Sequence, residues 1–266
     1  MPKVRLELDM RTAALLPSAL PSLGLALSFS VALSLGLPAV ATAQTATEVI
    51  VKLDERANLA KTQFFEYEVI NEEKGRESGV MRLQVSLSGE ERFTEFLAPG
   101  DMKGTRVLVK NRAQMYVYLP AYNKVRRIAS HTTSGGFMGT TYSNDDMATS
   151  FYGPVYAFSM VSEDDKEWVV EGLPKEEVKV AYGKIEITIS KANNLPTKIR
   201  YFNKDRVHVK TEIRSGYSCS GEVCNAESMK MTDHTRNDAS TELLRRDWKV
   251  NPELPSSLFS LRNLQP

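Results

Sequence analysis

The chain has 266 residues, and its 34 basic and 33 acidic residues leave a net charge of +1 at neutral pH. Because the chain is nearly neutral and has no segment dense in lysine and arginine, its charge gives no reason to expect nucleic acid or an anionic membrane as a partner. Apolar or neutral molecules are the expected partners.

An export signal is predicted at the N-terminus. Lys3, Arg5 and Arg11 precede a stretch without ionisable side chains, residues 12–47, as in a charged n-region followed by an apolar h-region. The densest apolar run, residues 23–37, is shorter than the roughly 20 residues that span a bilayer. Residues 41–43 (ATA) have the small-x-small pattern of a cleavage site. We expect a signal peptide over residues 1–43, with an uncleaved anchor as the alternative.

The mature chain, residues 44–266, is expected to form a single domain. Position 44 is Gln, whereas a bacterial lipoprotein needs Cys immediately after its signal. We therefore expect a soluble protein of the periplasm. A helix is predicted to open the domain, because Thr45 and Glu48 have capping-box spacing. Val49, Ile50 and Leu53 lie on one helical face.

Strands dominate the rest of the chain. Apolar residues alternate with polar ones from Met81 to Leu87, the pattern of a half-buried strand. Similar alternation recurs at Val107 and Val109, at Met115, Val117 and Leu119, at Ile185, Ile187 and Ile189, and at Val207, Val209 and Ile213. Turn residues separate these runs, so most strands should pair with their sequence neighbours. The pattern favours a meander that curls into an incomplete barrel.

Residues 130–158 do not fit a strand pattern. Glycines surround Phe137 and Met138, and Ser143 can cap a short helix with Asp145 and Asp146 in its first turn. A mobile apolar lid would have this composition. A surface loop pinned to the core by Phe137 and Met138 is the alternative. The two carboxylates are expected to be solvated caps rather than an acid–base pair.

Little in the sequence indicates catalysis or metal binding. His131, His208 and His234 are far apart in the sequence, and no nucleophile elbow or phosphate-binding loop is present; Ser134 lies in a flexible turn. We therefore predict neither an enzyme nor a cofactor nor a metal site. Cys219 and Cys224 are expected to close a small disulfide loop in an oxidising compartment, with free thiols as the alternative.

Three motifs in order carry a family resemblance. They are residues 99–105 (PGDMKGT), residues 118–128 (YLPAYNKVRRI), and residues 137–140 (FMGT) followed by Asp145 and Asp146. This set resembles the LolA-like outer-membrane lipoprotein-sorting family. Residues 195–198 (LPTK) and 259–261 (FSL) extend the likeness over most of the mature chain. Residues 141–144 (TYSN) depart from it, because the family more often has Asp-Phe-Ser-Tyr there.

The resemblance implies a fold that is mainly β with a few helices. Its strongly curved antiparallel sheet forms an unclosed β-barrel, and a helical lid covers a hydrophobic cavity that holds acyl chains. On this basis we expect a carrier of lipid or of an acylated lipoprotein, with a resistance-nodulation-division (RND) inner-membrane transporter as a partner. The candidate cavity and lid residues are Met115, Val117, Leu119, Phe137, Met138, Met147 and Phe151, although packing in the core explains them equally well.

The basic residues Lys124, Arg126 and Arg127 alternate with Val125 and Ile128 as on an exposed strand face. They are expected to contact solvent, lipid head groups or a partner protein. Two other functions remain open at this stage. One is a periplasmic module that senses lipid and signals to a membrane partner, and the other is an enzyme that uses Asp145, Asp146 and Ser134.

Overall fold

A computed structural model describes residues 44–128 and 136–266. The signal peptide predicted over residues 1–43 therefore lies outside the described residues, as do His131 and Ser134 in residues 129–135. The boundary at residue 43 stays a prediction.

The described chain consists mostly of strands. The first half has α1 (Ala46–Ala57), β1 (Thr62–Glu72), β2 (Gly79–Ser88), β3 (Glu91–Ala98), β4 (Arg106–Asn111), β5 (Gln114–Leu119), β6 (Lys124–Ile128) and α2 (Asn144–Ala148). The second half has β7 (Tyr156–Glu163), β8 (Glu167–Pro174), β9 (Lys184–Ser190), β10 (Pro196–Phe202), β11 (His208–Ser215), β12 (Ser218–Ser220), β13 (Val223–Asn225), β14 (Ser228–Asp233), β15 (Ala239–Val250) and α3 (Leu261–Leu264). Among the residues that the structure describes, Pro120–Tyr122 and Ser256–Phe259 form 3₁₀ turns.

Thirteen strands form one antiparallel sheet in the order β6-β5-β4-β3-β2-β1-β15-β14-β11-β10-β9-β8-β7. The chain first builds outward from β1 to the β6 edge. It then starts again at the β7 edge and returns through β15, which pairs with β1. In the described chain β6 and β7 stay unpaired to each other, so the sheet does not close. The predicted mainly β fold with an unclosed barrel is confirmed.

Helix α1 begins where the capping box predicted. The Thr45 side chain accepts a hydrogen bond from the Glu48 backbone N–H, and the Glu48 carboxylate accepts one from the Thr45 N–H. This pair satisfies two backbone donors that a helix start otherwise leaves without partners. The buried face, with Val49, Ile50 and Leu53, packs against β7 and β13. The helix therefore covers the second half of the sheet.

Strands β3, β4 and β5 are covered on both faces. On the concave face, Val107, Val109 and Val117 belong to a core cluster with Phe65 and Phe96. On the opposite face, a separate cluster joins β3, β4 and β5 to the C-terminal segment; its members are Phe93, Leu108, Tyr118, Phe259 and Leu264. Adjacent residues on these strands are therefore often both apolar.

The predicted inward direction of the apolar residues at β11 was wrong for Val207 and Ile213, whereas Val209 packs against a core cluster. Val207 is 56% exposed and Ile213 is 44% exposed, whereas Glu212 between them in the alternation is only 2% exposed. The charged residues Lys210, Glu212 and Arg214 face inward because each finds a polar partner there. Alternation of apolar residues therefore indicates the wrong face when the concave side is polar.

Within the described ranges, no helix has both the length and the apolar composition needed to cross a bilayer.

Candidate functional site

The concave face of the sheet holds a cavity of about 290 Å³. Leu83 on β2 and Ile185 on β9 both line it, although these strands lie far apart in the sheet order. The sheet therefore curves around the cavity. Helix α1, together with residues 136–148, which we call the lid, covers the concave side.

One wall of the cavity is apolar. It consists mainly of side chains from β1, β2 and the lid, with Met229 and Leu243 from β14 and β15. The apolar wall comprises Phe65, Val69, Leu83, Val85, Leu87, Phe137, Met147, Met229 and Leu243. Met147 and Leu243 pack against both of the main core clusters. The apolar wall is thus continuous with the core of the protein.

The other wall is polar and rich in tyrosine. Its centre is Glu212, which accepts hydrogen bonds from the Tyr201 hydroxyl at 2.8 Å and from Arg214 Nε at 2.8 Å. Arg214 Nη2 also donates to the Tyr152 hydroxyl oxygen at 3.5 Å. Burial raises the pKa of Tyr152 to about 12, so this phenol is neutral at physiological pH. We call Tyr152, Tyr201, Glu212 and Arg214 the polar wall.

Arg92 lies at the boundary of the two walls. It lines the cavity from β3, and its Nη1 donates to the carbonyl oxygen of Met147 in α2 at 2.6 Å. It forms no ion pair with any carboxylate of the residues the structure describes. Burial lowers the pKa of the Arg92 guanidinium, and the charges that bear on it come from Tyr67, Arg214 and Tyr152. None of these three groups is anionic at neutral pH.

The lid is a tight turn followed by a short helix. Phe137 N–H donates to Tyr142 O at 2.7 Å, and Thr140 N–H donates to Phe137 O at 2.9 Å. Met138 and Gly139 have left-handed backbone angles, which glycine adopts without strain. The Phe137 side chain is buried against Phe96, with ring centroids 6.2 Å apart. The turn thus directs one large apolar side chain inward.

Polar contacts hold the lid to the second half of the sheet. Thr141 N–H donates to Thr241 Oγ1 at 2.9 Å, and Thr141 Oγ1 donates to Met231 O at 2.9 Å. Lys210 Nζ donates to Thr141 O at 2.6 Å. The base of the lid is therefore fixed.

The prediction that Asp145 and Asp146 are solvated was wrong. Asp145 is 4% exposed, pairs with Arg112 and accepts a hydrogen bond from the Ala181 N–H at 3.0 Å. Asp146 accepts from the Ser143 N–H at 2.7 Å and from the Tyr182 hydroxyl at 2.9 Å. Burial raises the pKa of Asp146 to about 6. Both carboxylates fix α2 to neighbouring elements. The helix itself, capped by Ser143, was correctly predicted.

The mouth of the cavity lies near the end of α1. Lys61 and Gly89 are exposed lining residues, and the Gly89 N–H donates to Lys61 O at 3.4 Å. Asn58 Nδ2 donates to Ser150 O at 2.9 Å, which joins α1 to the loop after the lid. Asp54 accepts from the Tyr152 and Gly153 N–H groups at 2.9 and 2.8 Å, and burial raises its pKa. This loop and α1 border the mouth.

The candidate cavity residues fall into two groups. Phe137, Met147 and Phe151 line the cavity. Met115 and Val117 are buried in the core cluster of β1 to β5, and Leu119 and Met138 pack against the same cluster. These four are not among the lining residues that the structure describes. Their predicted role in binding, like that of the first three, stays a prediction.

The basic residues Lys124, Arg126 and Arg127 are exposed on β6 at the edge of the sheet. Arg127 Nη2 donates to Ala113 O at 2.9 Å, and the Arg126 guanidinium lies 5.7 Å from the centre of the Tyr122 ring. They do not line the cavity. Contact with a head group of cavity-bound lipid would therefore require movement, whereas contact with a partner protein would not.

Cys219 and Cys224 are joined by a disulfide across the hairpin of β12 and β13. Two of the histidines that are far apart in the sequence are close together in the structure. His208 at the start of β11 and His234 in the turn after β14 have ring centroids 4.7 Å apart and are linked through the Thr211 hydroxyl. Among residues 44–128 and 136–266, no group of three or more His, Cys, Asp or Glu side chains could hold a metal ion.

Sequence reasoning missed Arg92, Glu212 and Arg214. On β11 the charged residues alternate, which normally indicates a solvent face. Arg92 shares its side of β3 with Thr94, which lines the cavity, and with Phe96. The two-residue period of a strand places Arg92 on the same face as Phe96, which could have indicated that Arg92 faces the cavity. The apolar Phe93 on the opposite, also covered, face made the inward side of β3 ambiguous.

Comparisons with known proteins found one matching family model and several solved structures of similar fold. A family model described as "uncharacterized protein" matches residues 88–266. No curated protein matches the chain by sequence. Among solved structures, a domain from Vibrio parahaemolyticus, provisionally described as an outer membrane lipoprotein-sorting protein, has 24% identity and a TM-score of 0.75, covering 83% of this chain and 98% of its own.

Two further structures have the same fold. A DUF1329 family protein from Desulfovibrio piger has 19% identity and a TM-score of 0.77, over 83% of this chain and 98% of its own. A LolA superfamily protein from Nitrosomonas europaea has 19% identity and a TM-score of 0.70, over 83% of this chain and 100% of its own. At these identities the likeness establishes the fold.

Proposed function

We propose that this chain is a periplasmic carrier. The chain belongs to the family, described as an uncharacterized protein, whose model matches residues 88–266, and it has the fold of the LolA superfamily. It holds an acyl chain of a lipid or lipoprotein in its cavity and takes part in lipoprotein sorting or lipid export. In this role it is a chaperone for a hydrophobic cargo and not an enzyme.

The observation that carries the proposal is the apolar wall inside a curved sheet. A protein that moves an acyl chain through water must hide about 0.8 kcal/mol of unfavourable hydration free energy for each CH₂ group. Phe65, Val69, Leu83 and Val85 offer such a surface on rigid strands, and Phe137 and Met147 complete it from the lid. A rigid sheet with a separate cover suits binding followed by release.

The contacts around the mouth of the cavity suggest which segment moves to admit the cargo. The base of the lid is hydrogen-bonded to β14 and β15, but the loop after it is joined to α1 through Asn58 and Asp54. Separation of this loop from α1 would widen the mouth beside Phe151. We propose that the cargo enters there and that Phe137, Met147 and Phe151 contact it.

The carboxylates support the non-enzymatic reading. Asp145 is paired with Arg112, Asp146 caps α2, and Glu212 is paired with Arg214. Each has a partner within the fold, which supports a structural role for all three carboxylates. Lys124, Arg126 and Arg127 at the β6 edge are proposed to contact a partner, with an RND-type inner-membrane transporter as the candidate.

A release assay tests the carrier function. Inner-membrane vesicles containing a fluorescently labelled triacylated lipoprotein are incubated with the mature protein and then sedimented. The proposal expects labelled lipoprotein in the supernatant in proportion to added protein, and its delivery to acceptor vesicles. Label that stays with the membrane, together with no binding of alkyl probes in calorimetry, would contradict the proposal.

A lipid-sensing module is the second candidate. The observation that favours it is the number of hydrogen bonds at the base of the lid, which suits retention of a ligand better than rapid exchange. Binding of lipid without transfer to acceptor vesicles, with co-purification of a membrane signalling protein, would support this candidate over the carrier.

A further inference from the structure

The position of Arg92 points to the chemical class of the cargo. A guanidinium group taken out of water is costly unless an anion compensates it. Arg92 lines the cavity and is partly buried, and its hydrogen bond to Met147 O uses one of five N–H donors. Among the described residues, no carboxylate forms an ion pair with it. An anion is the complement that this site lacks.

The neighbouring charges strengthen the positive potential. Arg92, Arg245 and Arg214 all act on the Tyr67 phenol, where they oppose the rise in its pKa that burial causes. Arg214 is compensated by Glu212. Arg245 Nη2 lies 3.6 Å from the Glu227 carboxylate, although Arg245 Nη1 is buried without a hydrogen-bond partner in the described chain. Of the three guanidinium groups, Arg92 alone has no carboxylate partner among the described residues.

The other carboxylates at the cavity are already engaged. Asp145 pairs with Arg112, and Asp146 accepts hydrogen bonds from Ser143 and Tyr182. Neither forms an ion pair with Arg92 in the described chain. The local excess of positive charge is thus not cancelled from the lid.

The position of Arg92 along the cavity fits an anionic head. Arg92 pairs with Leu87 one step from the turn that joins β2 to β3, and this turn borders the mouth at Gly89. Val85 and Leu83 follow farther along the same strand, and both line the cavity. A ligand with its head at Arg92 would therefore lay its chain along the apolar wall.

The volume limits the number of chains. A cavity of about 290 Å³ lies at the lower end of the roughly 300–1,000 Å³ typical of small-molecule pockets. We infer that the cavity, in the form described, takes a single-chain amphiphile whose anionic head, a carboxylate or a phosphate, pairs with Arg92. This inference rests on the proposed function and adds the charge and chain number of the ligand.

Calorimetry with four 12-carbon probes tests the inference: dodecanoate, dodecyl phosphate, dodecanol and dodecyltrimethylammonium, with dodecanol kept below its solubility limit and the others below their micelle concentrations. The mature protein should bind at least one anionic probe about tenfold or more tightly than dodecanol, since hydrogen bonds to a charged group contribute that much. The cationic probe should bind most weakly. The tighter of the two anions identifies the head group as carboxylate or phosphate.

Variants separate a counter-ion role from a purely structural one. Arg92→Gln should weaken binding of the preferred anion about tenfold and leave dodecanol within about twofold. Arg92→Lys keeps the positive charge and should retain the preference for the anionic probe. This variant tests the inference if Arg92→Gln does not fold. Arg82→Gln is the matched control, because Arg82 is exposed on the neighbouring strand β2; it should change nothing.

The contrary outcomes are distinct. Equal affinities for dodecanol and both anions would overturn the inference and leave the proposed function standing. An Arg92→Gln variant that weakens all probes equally would also overturn it, because Arg92 would then only hold α2. Failure of every probe, dodecanol included, would overturn the proposed function itself.

Discussion

The two walls of the cavity are stabilised in opposite ways although one sheet supplies most of both. The apolar wall of β1, β2 and the lid is continuous with the core, so its residues contribute mainly through burial. The polar wall depends on Glu212, whose charge is tolerated only because Tyr201 and Arg214 satisfy it. The affinity for an apolar chain should therefore depend mainly on the apolar wall. The free energy of unfolding should depend strongly on the ion pair and hydrogen bonds of the polar wall.

Removal of Glu212 should produce the largest effect. Glu212→Ala leaves Arg214 buried and unpaired beside the cavity, so we expect the free energy of unfolding to fall by about 3–5 kcal/mol. Urea denaturation of the oxidised mature protein measures it. Glu186→Ala is the control, because its partner Arg200 is more than one-third exposed and the pair should contribute about 0–1 kcal/mol. Similar losses of unfolding free energy in the two variants would show that the Glu212–Arg214 pair contributes no more to stability than an exposed ion pair.

The hairpin of β12 and β13 borders the cavity beside the polar wall, with Cys224 among the lining residues. Replacing both cysteines, Cys219→Ser with Cys224→Ser, should lower the free energy of unfolding by about 2 kcal/mol, since the closed loop is short. Binding of dodecanol should persist, because the apolar wall is unchanged. Loss of alkyl binding would show that the hairpin, and not the apolar wall, forms the site.

Filling the apolar wall should impair binding more than folding. Val85→Trp places a large ring in the cavity, so we expect affinity for alkyl probes to fall about tenfold or more, or about 1.4 kcal/mol. Val80→Trp is the matched control, because Val80 is exposed on the same strand. Calorimetry and urea denaturation measure affinity and stability. Unchanged affinity in Val85→Trp would place the ligand elsewhere.

The last effect concerns pH. The folded pKa of Asp146 is raised from 3.8 to about 6, chiefly by burial; the charge of Lys210 opposes this rise and that of Glu212 adds to it. The folded chain therefore binds this proton more tightly than the unfolded chain, and the stability that the group contributes falls as pH rises from about 4 to 6.

Asp146→Asn keeps an oxygen acceptor for the Ser143 N–H and the Tyr182 hydroxyl but cannot ionise. The stability of the variant relative to the wild type should therefore increase between pH 4 and pH 6, as thermal unfolding in a pH series would measure. A difference that stays constant over this range would contradict the assignment.

Most parts of the fold that the sequence could predict are governed by local rules. Thr45 and Glu48 specified the start of α1, Ser143 specified α2, and alternation from Met81 to Leu87 specified β2. Family-like motifs specified the curved sheet, which no local rule determines. Each of these predictions rests on hydrogen bonds or burial within a few residues, or on a known pattern.

The polar wall could not be predicted in the same way. Lys210, Glu212 and Arg214 alternate as solvent-facing residues do, and only the three-dimensional placement of Tyr201, Tyr152 and Thr141 makes their inward direction favourable. Asp145 likewise looked solvated until Arg112, more than thirty residues earlier, was brought beside it. Burial of charge depends on partners distant in sequence, which no local pattern reveals.

The central claim is that the cavity carries an acyl chain. Native mass spectrometry of the mature protein purified from its own periplasm, followed by organic extraction, tests it most directly. The account predicts an acylated species bound at one per chain, and the pairing inferred for Arg92 predicts in addition that this species has a single acyl chain and an anionic head. A well-folded protein that is empty in both measurements, and that takes up no alkyl probe afterwards, would contradict it.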